Sequence, residues 1–211
     1  MKVLIAGGEE KKSAYQLRYN MMCEDLRWLP PHEYPDGQEQ DEYDDMQSMT
    51  FVALDDTGNC VGTSRLIFPG EISLPIETHF TLYPKEFIEA IHGTLRHYVE
   101  VSRFIVPENQ FLKRHEITLT LCRAMIHMSI KMRVTHMLMS ADYRFFRLLR
   151  ILGFQLEEIG EPTFYMGSKT IPGILPLENL LPVLKERKPD LYEYLLAGDE
   201  LAEGLTTENC R

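Results

Sequence analysis

The centre of the chain carries the stretch Tyr98-Val99-Glu100-Val101-Ser102-Arg103-Phe104-Ile105-Val106. Its β-branched and aromatic residues favour a buried β-strand, which Pro107 ends. Charged side chains inside a buried strand are costly unless they are paired. Alternation places Glu100 and Ser102 on one face and Arg103 on the other, so only a β-bulge would bring the three together. The stretch predicts either a polar site in the sheet or a buried ion-pair network that merely holds the sheet together.

The segments around this strand predict an α/β fold. Downstream, the helical pattern of Glu116–Arg133 leads into a strand over Val134–Ser140, as in a right-handed parallel crossover. Upstream, Met49–Leu54 and Cys60–Phe68 predict a hairpin. The other predicted elements are a strand over 2–6, helices over 9–27, Pro84–Thr94 and Tyr143–Leu152, strands over Phe154–Ile159 and Thr163–Gly167, and helices over 176–196. This order indicates an α/β sandwich with a mixed sheet, in which two splayed strands would open a cleft.

Length and composition fit one domain over residues 1–211. Hydrophobic residues make up 44% and charged residues 26% of the 211 positions, as in ordinary globular proteins. No apolar run approaches the ~20 residues of a membrane helix, and the N-terminal apolar run is too short for a signal peptide. We therefore expect a cytoplasmic protein without an integral membrane segment.

Cysteine and histidine spacing gives no sign of a metal site. The four cysteines form no C-x-x-C pair, and the seven histidines do not cluster. Glycine motifs for nucleotide hydrolysis or bound dinucleotides are also missing. We expect no metal and no tightly bound cofactor.

The charge is unevenly distributed along the chain. The net charge is −10, which speaks against nucleic-acid binding. Residues 1–50 hold five Lys/Arg and eleven Asp/Glu, whereas residues 96–150 hold ten Lys/Arg and four Asp/Glu. The basic centre could receive an anionic ligand or an acidic partner, or it could be ordinary solvated helix charge.

A polar segment at about 29–48 is predicted to be an acidic loop. Its Asp41 and Asp44 could anchor buried arginines elsewhere, or they could simply be solvated. The arginines in question lie in three separate segments and are Arg18, Arg65 and Arg103.

Four short motifs follow one another in the order of a known family. They are Arg18 with Leu26-Arg27-Trp28, then Asp41-Glu42-Tyr43-Asp44, Gly62-Thr63-Ser64-Arg65-Leu66 and Glu100-Val101-Ser102-Arg103-Phe104. From about residue 14 to 175 the chain resembles the acyl-homoserine-lactone (autoinducer) synthases and their relatives, the N-acyl amino acid synthases and exosortase-associated acyltransferases. The resemblance implies a Gcn5-type N-acetyltransferase-like fold, a three-layer α-β-α sandwich with a splayed central sheet.

The resemblance also implies a reaction, in which an amine attacks an acyl thioester and forms an amide. Glu100 would act as the base, directly or through water. Backbone N–H groups in a bulge near Ser102–Phe104 would stabilise the oxyanion, and Arg103 would hold Glu100 and the acidic loop. The implied acceptor-binding network comprises Arg18, Asp41, Asp44 and Arg65, with Trp28 lining the acceptor pocket.

The implied acyl donor is an acyl-phosphopantetheine thioester on an acyl carrier protein. Phe104, Lys113 and Arg114 would hold the anionic arm near a helix N-terminus. Carrier proteins are acidic, so the exposed helix face with Arg144, Arg147 and Arg150 would be their docking site, unless it is only a solvated arginine face. Four methionines could line an acyl tunnel or belong to an ordinary core: Met125, Met128, Met137 and Met139.

The acceptor is either S-adenosylmethionine, which would give an acyl-homoserine lactone for quorum sensing, or a free amino acid. Met21-Met22 stands where autoinducer synthases usually carry V-F, and the segment Ser73–Glu77 also departs from their pattern. An N-acetyltransferase using acetyl-CoA or another acyl-CoA is a rival, although its glycine-rich pyrophosphate loop is missing between Val106 and Glu116. A non-catalytic acyl-binding regulatory module is the other rival.

Overall fold

The computed structural model describes residues 1–83, 97–107, 110 and 114–197. In this part of the chain the strands are β1 (Lys2–Ile5), β2 (Ser48–Leu54), β3 (Cys60–Ile67), β4 (Tyr98–Ile105), β5 (His136–Asp142), β6 (Glu157–Glu158), β7 (Thr163–Tyr165) and β8 (Ser168–Pro176). The helices are α1 (Gly8–Tyr19), α2 (Tyr43–Met46), α3 (Pro75–His79), α4 (Arg114–Lys131), α5 (Tyr143–Leu152), α6 (Leu177–Arg187) and α7 (Pro189–Leu196). None of these helices combines the length and the apolar character that a membrane crossing requires.

The strands form one mixed sheet in the order β1-β2-β3-β4-β5-β8-β6, with β7 paired to β8. The pair β4–β5 is parallel, whereas the other pairs are antiparallel. The β4–β5 ladder ends where Val101 lies opposite Met139, although both strands continue beyond that point. The predicted splay is therefore confirmed, and it opens a gap beside Ser102.

Helices cover both faces of the sheet, which confirms the three-layer sandwich. Phe51, Leu66 and Val99 contribute to the main core cluster, which they share with α4. Neighbouring residues of the same strands, such as Ile67 and Tyr98, point to the opposite face. There they pack with residues of α2 and α3, while α1 lies over β2 and β3. This alternation follows from the two-residue period of a strand.

A bulge in β4 resolves the conflict between strand alternation and a common polar site. Arg65 of β3 lies opposite Ser102 and Thr63 opposite Ile105, so two residues of β4 face one residue of β3. Arg103 has a φ of 49°, which is uncommon for a residue with a side chain. The bulge brings the Arg103 side chain to the same polar cluster as Ser102.

The N-terminal half contains more regular structure than predicted. The helix expected over 9–27 is α-helical only to Tyr19 and continues as a π-helical segment, Asn20–Asp25. The acidic segment 29–48 is not a plain loop, because it includes a 3₁₀ turn at Pro31–Glu33 and α2, and its last residue begins β2. Short polar helices of this kind lack the long apolar period on which sequence analysis relies.

The strand β8 was not predicted, since Pro172 and Gly173 in its middle are both disfavoured in central strands. It nevertheless pairs with β5 over seven positions, from His136–Pro176 to Asp142–Thr170. Burial between neighbouring strands outweighs the local preference here. The predicted strand Phe154–Ile159 shrinks to the two residues of β6.

Other predicted elements agree closely with the structure. The helix Tyr143–Leu152 is confirmed at both ends, and Gly153 terminates it with a φ of 109°. The helices expected over 176–196 are α6 and α7, which meet at Lys188. The predicted helix Pro84–Thr94 and the part of the extension 176–211 beyond residue 197 lie outside the described residues, and the single domain over 1–211 stays a prediction.

Gly62 should be intolerant of a side chain, because α4 lies directly on it. A Cβ at this position would come within 2.7 Å of Ile117 Cγ2 and 3.2 Å of Leu121 Cδ1. We expect Gly62→Ala to lower the free energy of unfolding by roughly 1–3 kcal/mol in denaturant titrations. Gly8→Ala is the control, because a Cβ there would meet nothing within 4 Å and alanine favours a helix. Equal effects of the two substitutions would contradict the close packing of α4.

Candidate active site

A cavity of about 690 Å³ opens where β4 and β5 separate. At one end it is lined by Met21, Trp28, Glu100, Ser102, Arg103 and Tyr165. At the other it runs into the apolar core, where its walls include Cys122, Met125, Met137, Met139, Leu149 and Leu175. The cavity therefore joins a polar chamber to an apolar tunnel at the splayed strands.

Glu100 lies buried at this junction, with 1% of its surface exposed. The backbone N–H of Ile76, in the first turn of α3, donates to Glu100 Oε2 at 3.0 Å, and the Ser140 hydroxyl donates to Oε1 at 3.4 Å. Burial raises the pKa of Glu100 to about 8. A carboxyl group with a pKa close to physiological pH is partly ionised there, and its ionised form is suited to accept a proton.

Arg18 anchors α1 to the acidic segment. Its Nη1 and Nη2 atoms each donate to a separate oxygen of Asp44 at 2.9 Å, and its Nε donates to Glu39 Oε2. Arg18 and Glu39 are both fully buried. The bidentate geometry and the dry surroundings make this a strong positional constraint.

Arg65 extends the same network across β3. Its guanidinium donates to Asp41 Oδ2 at 2.8 Å and lies 2.9 Å from Asp44 Oδ1. It also donates to the Ser102 hydroxyl at 3.0 Å. Arg65 therefore connects the acidic segment to the bulged strand.

Arg103 completes the network from the bulge. Its Nη2 donates to Glu39 Oε1 at 2.8 Å and to Asp41 Oδ2 at 3.0 Å. It thus holds the acidic segment as expected, but the hydrogen bonds to Glu100 come from Ile76 and Ser140 instead. The predicted anchoring of Glu100 by Arg103 is therefore wrong, because the bulge directs Arg103 towards Glu39.

Glu39 is the network residue that the sequence analysis missed. Three buried guanidinium groups need three negative charges, and only Asp41 and Asp44 had been assigned. Charge balance alone could have indicated a third carboxylate within the acidic segment. Although burial opposes it, the guanidiniums of Arg103 and Arg18 lower the pKa of Glu39 to about 2. Ser140 was also missed, because an isolated serine in a strand carries no signal.

The polar chamber has an apolar wall from the N-terminal region. The π-helical segment contributes Met21 and Met22, and Trp28 follows. Trp28 thus lines the cavity, and its role in an acceptor pocket stays a prediction. π-Helical turns are frequent at functional sites, where they redirect side chains.

Two of the three predicted donor-binding residues, Phe104 and Arg114, line the cavity. Phe104 lines it and packs against Phe145 with ring centroids 4.7 Å apart. Arg114 lies at the start of α4 and also lines the cavity, while Lys113 is outside the described residues. This arrangement is compatible with a phosphopantetheine arm entering beside α4.

The three arginines of α5 are all exposed, but their surroundings differ. Arg144 borders the cavity, and Arg147 lies over the Tyr143 ring. Arg150 is engaged with Glu158 at 3.0 Å and with the Leu156 carbonyl. Docking of a carrier protein on this face stays a prediction, and Arg150 already has a structural role.

Three of the four predicted tunnel methionines line the cavity, namely Met125, Met137 and Met139. Met128 is buried in the same core cluster but does not contribute to the wall. Met125 and Met128 lie three residues apart on α4, so their side chains point in directions that differ by about 60° and are offset by nearly one turn along the helix.

Replacing Glu39 with glutamine should leave the buried cations in excess. We expect Glu39→Gln to lower the free energy of unfolding at neutral pH by about 3 kcal/mol, the value of a pKa shift from 4.5 to about 2. Because the folded-state pKa is depressed, this stabilisation is present above pH 4.5 and is lost as the pH falls towards 2.

Denaturant titrations of wild type and variant between pH 2 and 7 measure this difference. Glu33→Gln is the control, because Glu33 is exposed nearby. A wild-type–variant difference that does not shrink at low pH would contradict the role of the Glu39 charge.

Comparisons with known proteins agree with this geometry. The family model described as "Autoinducer synthase" matches residues 6–180. An acyl-homoserine-lactone synthase of Agrobacterium fabrum is 31% identical over 147 residues, which cover 67% of this chain and 68% of the relative. A probable acyl-homoserine-lactone synthase of Sinorhizobium fredii is 29% identical over 170 residues, covering 78% and 79% of the two chains.

Solved structures show the same fold at low sequence identity. TofI, crystallised with an inhibitor and MTA, has a TM-score of 0.69 at 18% identity, covering 90% of this chain and 100% of its own. FeeM, an N-acyl amino acid synthase from uncultured soil microbes, has a TM-score of 0.59 at 15% identity, covering 87% and 97%. The resemblance seen in the four motifs is thereby confirmed, and the chain belongs to the autoinducer synthase family, whose named members are acyltransferases.

Proposed function

We propose that this chain is an acyl-homoserine-lactone synthase that moves a fatty acyl group from an acyl-carrier-protein thioester to the amine of S-adenosylmethionine. The observation that carries the proposal is the position of Glu100, buried where a polar chamber meets an apolar tunnel. The names of the curated relatives support the product class. A related structure, the CoA-dependent synthase BjaI, holds S-adenosylmethionine and isopentyl-CoA.

The chemical step follows from the geometry. The acceptor's ammonium group loses a proton to Glu100, directly or through water, and its nitrogen attacks the thioester carbon. A C–N bond forms, the thioester C–S bond breaks, and the carrier thiol leaves with a proton. With S-adenosylmethionine, a carboxylate oxygen of the acylated acceptor then attacks the carbon bonded to the sulfonium. A C–O bond closes the lactone, the C–S⁺ bond breaks, and methylthioadenosine leaves. An ammonium group beside Glu100 favours the ionised carboxylate, so binding of the acceptor itself activates the base.

Backbone groups of the bulge supply the stabilisation of the oxyanion. Within the described residues, the β4–β5 ladder ends at Val101, so backbone N–H groups near Ser102–Phe104 that point to the β5 side have no ladder partner there and would be available to the oxyanion. Donors that are fixed before the reaction and directed at the developing charge contribute strongly in a dry cavity. The Arg103–Glu39 contacts hold this backbone in its unusual conformation.

The apolar tunnel is suited to the acyl chain. Its methionine walls can adapt to chains of different shape, because methionine is flexible and polarisable. At the open end, Arg114 and the helix N-terminus would receive the anionic arm, and the exposed Arg144 and Arg147 would attract an acidic carrier.

A free amino acid is the second candidate acceptor. It is favoured by the similarity to FeeM and by Met21-Met22, which stands where autoinducer synthases usually carry V-F. The two acceptors share the amine and the adjacent carboxylate, so the chemistry at Glu100 is the same for both.

Product analysis tests the proposal directly. We expect purified enzyme with S-adenosylmethionine and a long-chain acyl carrier thioester to give a mass spectrum with an acyl lactone headgroup, with slower turnover of the matching acyl-CoA. Amino acids replace S-adenosylmethionine in a parallel assay. An acylated amino acid with a free carboxylate would support the free amino acid as the acceptor. If no combination of donor and acceptor gave an acylated amine, both candidate functions would be excluded.

The Glu100→Gln substitution should abolish most turnover while the thioester still binds. We expect kcat to fall by about 10²–10⁴-fold, the usual contribution of a positioned base. For wild type, kcat/KM should rise with pH to a plateau above about 8, because only the ionised carboxylate accepts a proton. The rise should be absent from the residual activity of the variant.

The control is Glu42→Gln, since Glu42 is an exposed carboxylate of the same acidic segment. If the Glu100→Gln enzyme turned over at close to the wild-type rate, Glu100 would be a structural residue and its assignment as the base would be wrong.

A further inference from the structure

The tip of the β7–β8 hairpin, residues Tyr165–Gly167, contacts two residues of the polar chamber and the end of α3. Met166 lies on Arg103, Gly167 lies against Trp28, and Tyr165 packs on His79 and Phe80. The sequence analysis assigned no role to this hairpin. Because Tyr165 and Met166 line the cavity, and Met166 and Gly167 contact Arg103 and Trp28, the hairpin tip belongs to the site.

The first central position of the hairpin turn is occupied by Met166, a residue that is disfavoured at the positive φ found there. Tyr165 pairs with Ser168, which leaves Met166 and Gly167 as a two-residue turn. Both have positive φ, 45° and 77°, as in a type I′ turn. Asparagine is preferred at the first position, and methionine there is strained. Strain of this kind persists mainly where a side chain is needed for function.

Among the described residues, no carboxylate contacts Arg103 Nη1, and the Met166 side chain covers this nitrogen. Its sulfur lies 3.6 Å from Arg103 Nη1, whereas Nη2 and Nε of Arg103 are bound to the acidic segment. Gly167 allows the hairpin backbone to lie directly on the indole, because a Cβ there would overlap Trp28 Cδ1. The hairpin tip therefore forms a wall of the chamber beside Arg103 and Trp28.

Tyr165 supplies a polar group to this wall. Its ring is held by His79 and Phe80, with centroid distances of 4.8 and 5.2 Å. Tyr165 lines the cavity, and its hydroxyl makes no hydrogen bond with any residue in the described part of the chain. The charges of Arg103 and Glu100 both act on the phenol, so it lies at the same end of the cavity.

The acceptor's carboxylate needs a donor that the arginine network does not readily provide. Arg18 and Arg65 are engaged by carboxylates, and Arg103 has only the arm beneath Met166 left. Burial raises the pKa of Tyr165, which keeps its hydroxyl protonated and able to donate. An amino-acid-type acceptor with its amine at Glu100 carries its carboxylate one carbon away, within the same chamber.

We propose that the hairpin tip is a wall of the acceptor site, in which the Tyr165 hydroxyl donates a hydrogen bond to the acceptor's carboxylate and Met166 positions Arg103. The inference rests on the proposed function only in requiring an amino-acid-type acceptor. It holds equally for S-adenosylmethionine and for a free amino acid.

Tyr165→Phe removes the hydroxyl and keeps the ring, so it tests the hydrogen bond directly. We expect the KM for S-adenosylmethionine to rise about tenfold or more, as for a lost hydrogen bond to a charged group. The KM for the acyl thioester and the midpoint of thermal unfolding should not change. Tyr192→Phe is the matched control, since Tyr192 lies on α7 with its ring near Lys185, outside the cavity.

Decarboxylated S-adenosylmethionine makes the test specific for the carboxylate. In wild type this analogue should inhibit or react with about tenfold weaker affinity than S-adenosylmethionine. In Tyr165→Phe the two ligands should bind nearly alike, because the interaction has already been lost. Equal discrimination by both enzymes would overturn the assignment of Tyr165.

Met166→Asn separates a functional tip from a simple turn. Asparagine suits the type I′ position, so the variant should unfold at the same temperature as wild type or higher. Because the variant lacks the contact between the Met166 sulfur and Arg103 Nη1, the KM for the acceptor should nevertheless rise. The KM for the thioester should not change. An unchanged acceptor KM would show that the tip is only a turn.

Failure of this proposal is distinguishable from failure of the proposed function. If the wild-type enzyme transfers the acyl group to an amine and releases the carrier thiol, but both hairpin variants keep the wild-type KM for the acceptor, only the hairpin proposal is wrong. If the wild-type enzyme acylates no amine, the proposed function is wrong. The hairpin proposal then fails as well, because it requires an amino-acid-type acceptor.

Discussion

Burial of three guanidinium groups against three carboxylates is the constraint on which the rest of this structure depends. Arg18, Arg65 and Arg103 come from α1, β3 and the bulge of β4, and one acidic segment neutralises all of them. Removing any single partner would leave an uncompensated charge in a dry site. The network therefore ties three distant segments together and fixes the backbone conformation beside the cavity.

Glu100 lies next to this network, but its surroundings shift its pKa in the opposite direction from that of Glu39. Its hydrogen-bond donors are a backbone N–H and a hydroxyl, both neutral, so burial dominates and its pKa rises. Glu39, in contact with two guanidiniums, is held ionised instead. The same chemical group thus serves as a fixed charge at one position and as a titratable base at another, because the environment differs.

The splayed strands open the cavity that adjoins Glu100. The parallel β4–β5 pair stops at Val101, so neither strand closes the sheet over the next residues. The chamber on one side is lined by Trp28 and the hairpin tip, and the tunnel on the other by apolar side chains such as Met125. In the proposed reaction, an amine in the chamber and a thioester in the tunnel would meet beside Glu100.

The sequence by itself determined the segments whose local pattern is strong. The helix Tyr143–Leu152, the strand that holds Glu100 and the order of the four motifs follow from periodicity, capping and residue type. Only the tertiary structure decided the strand β8 through Pro172, the direction of Arg103 and the parts played by Glu39 and Tyr165. These depend on charge balance, burial and contacts between residues far apart in the chain, and no local pattern carries that information.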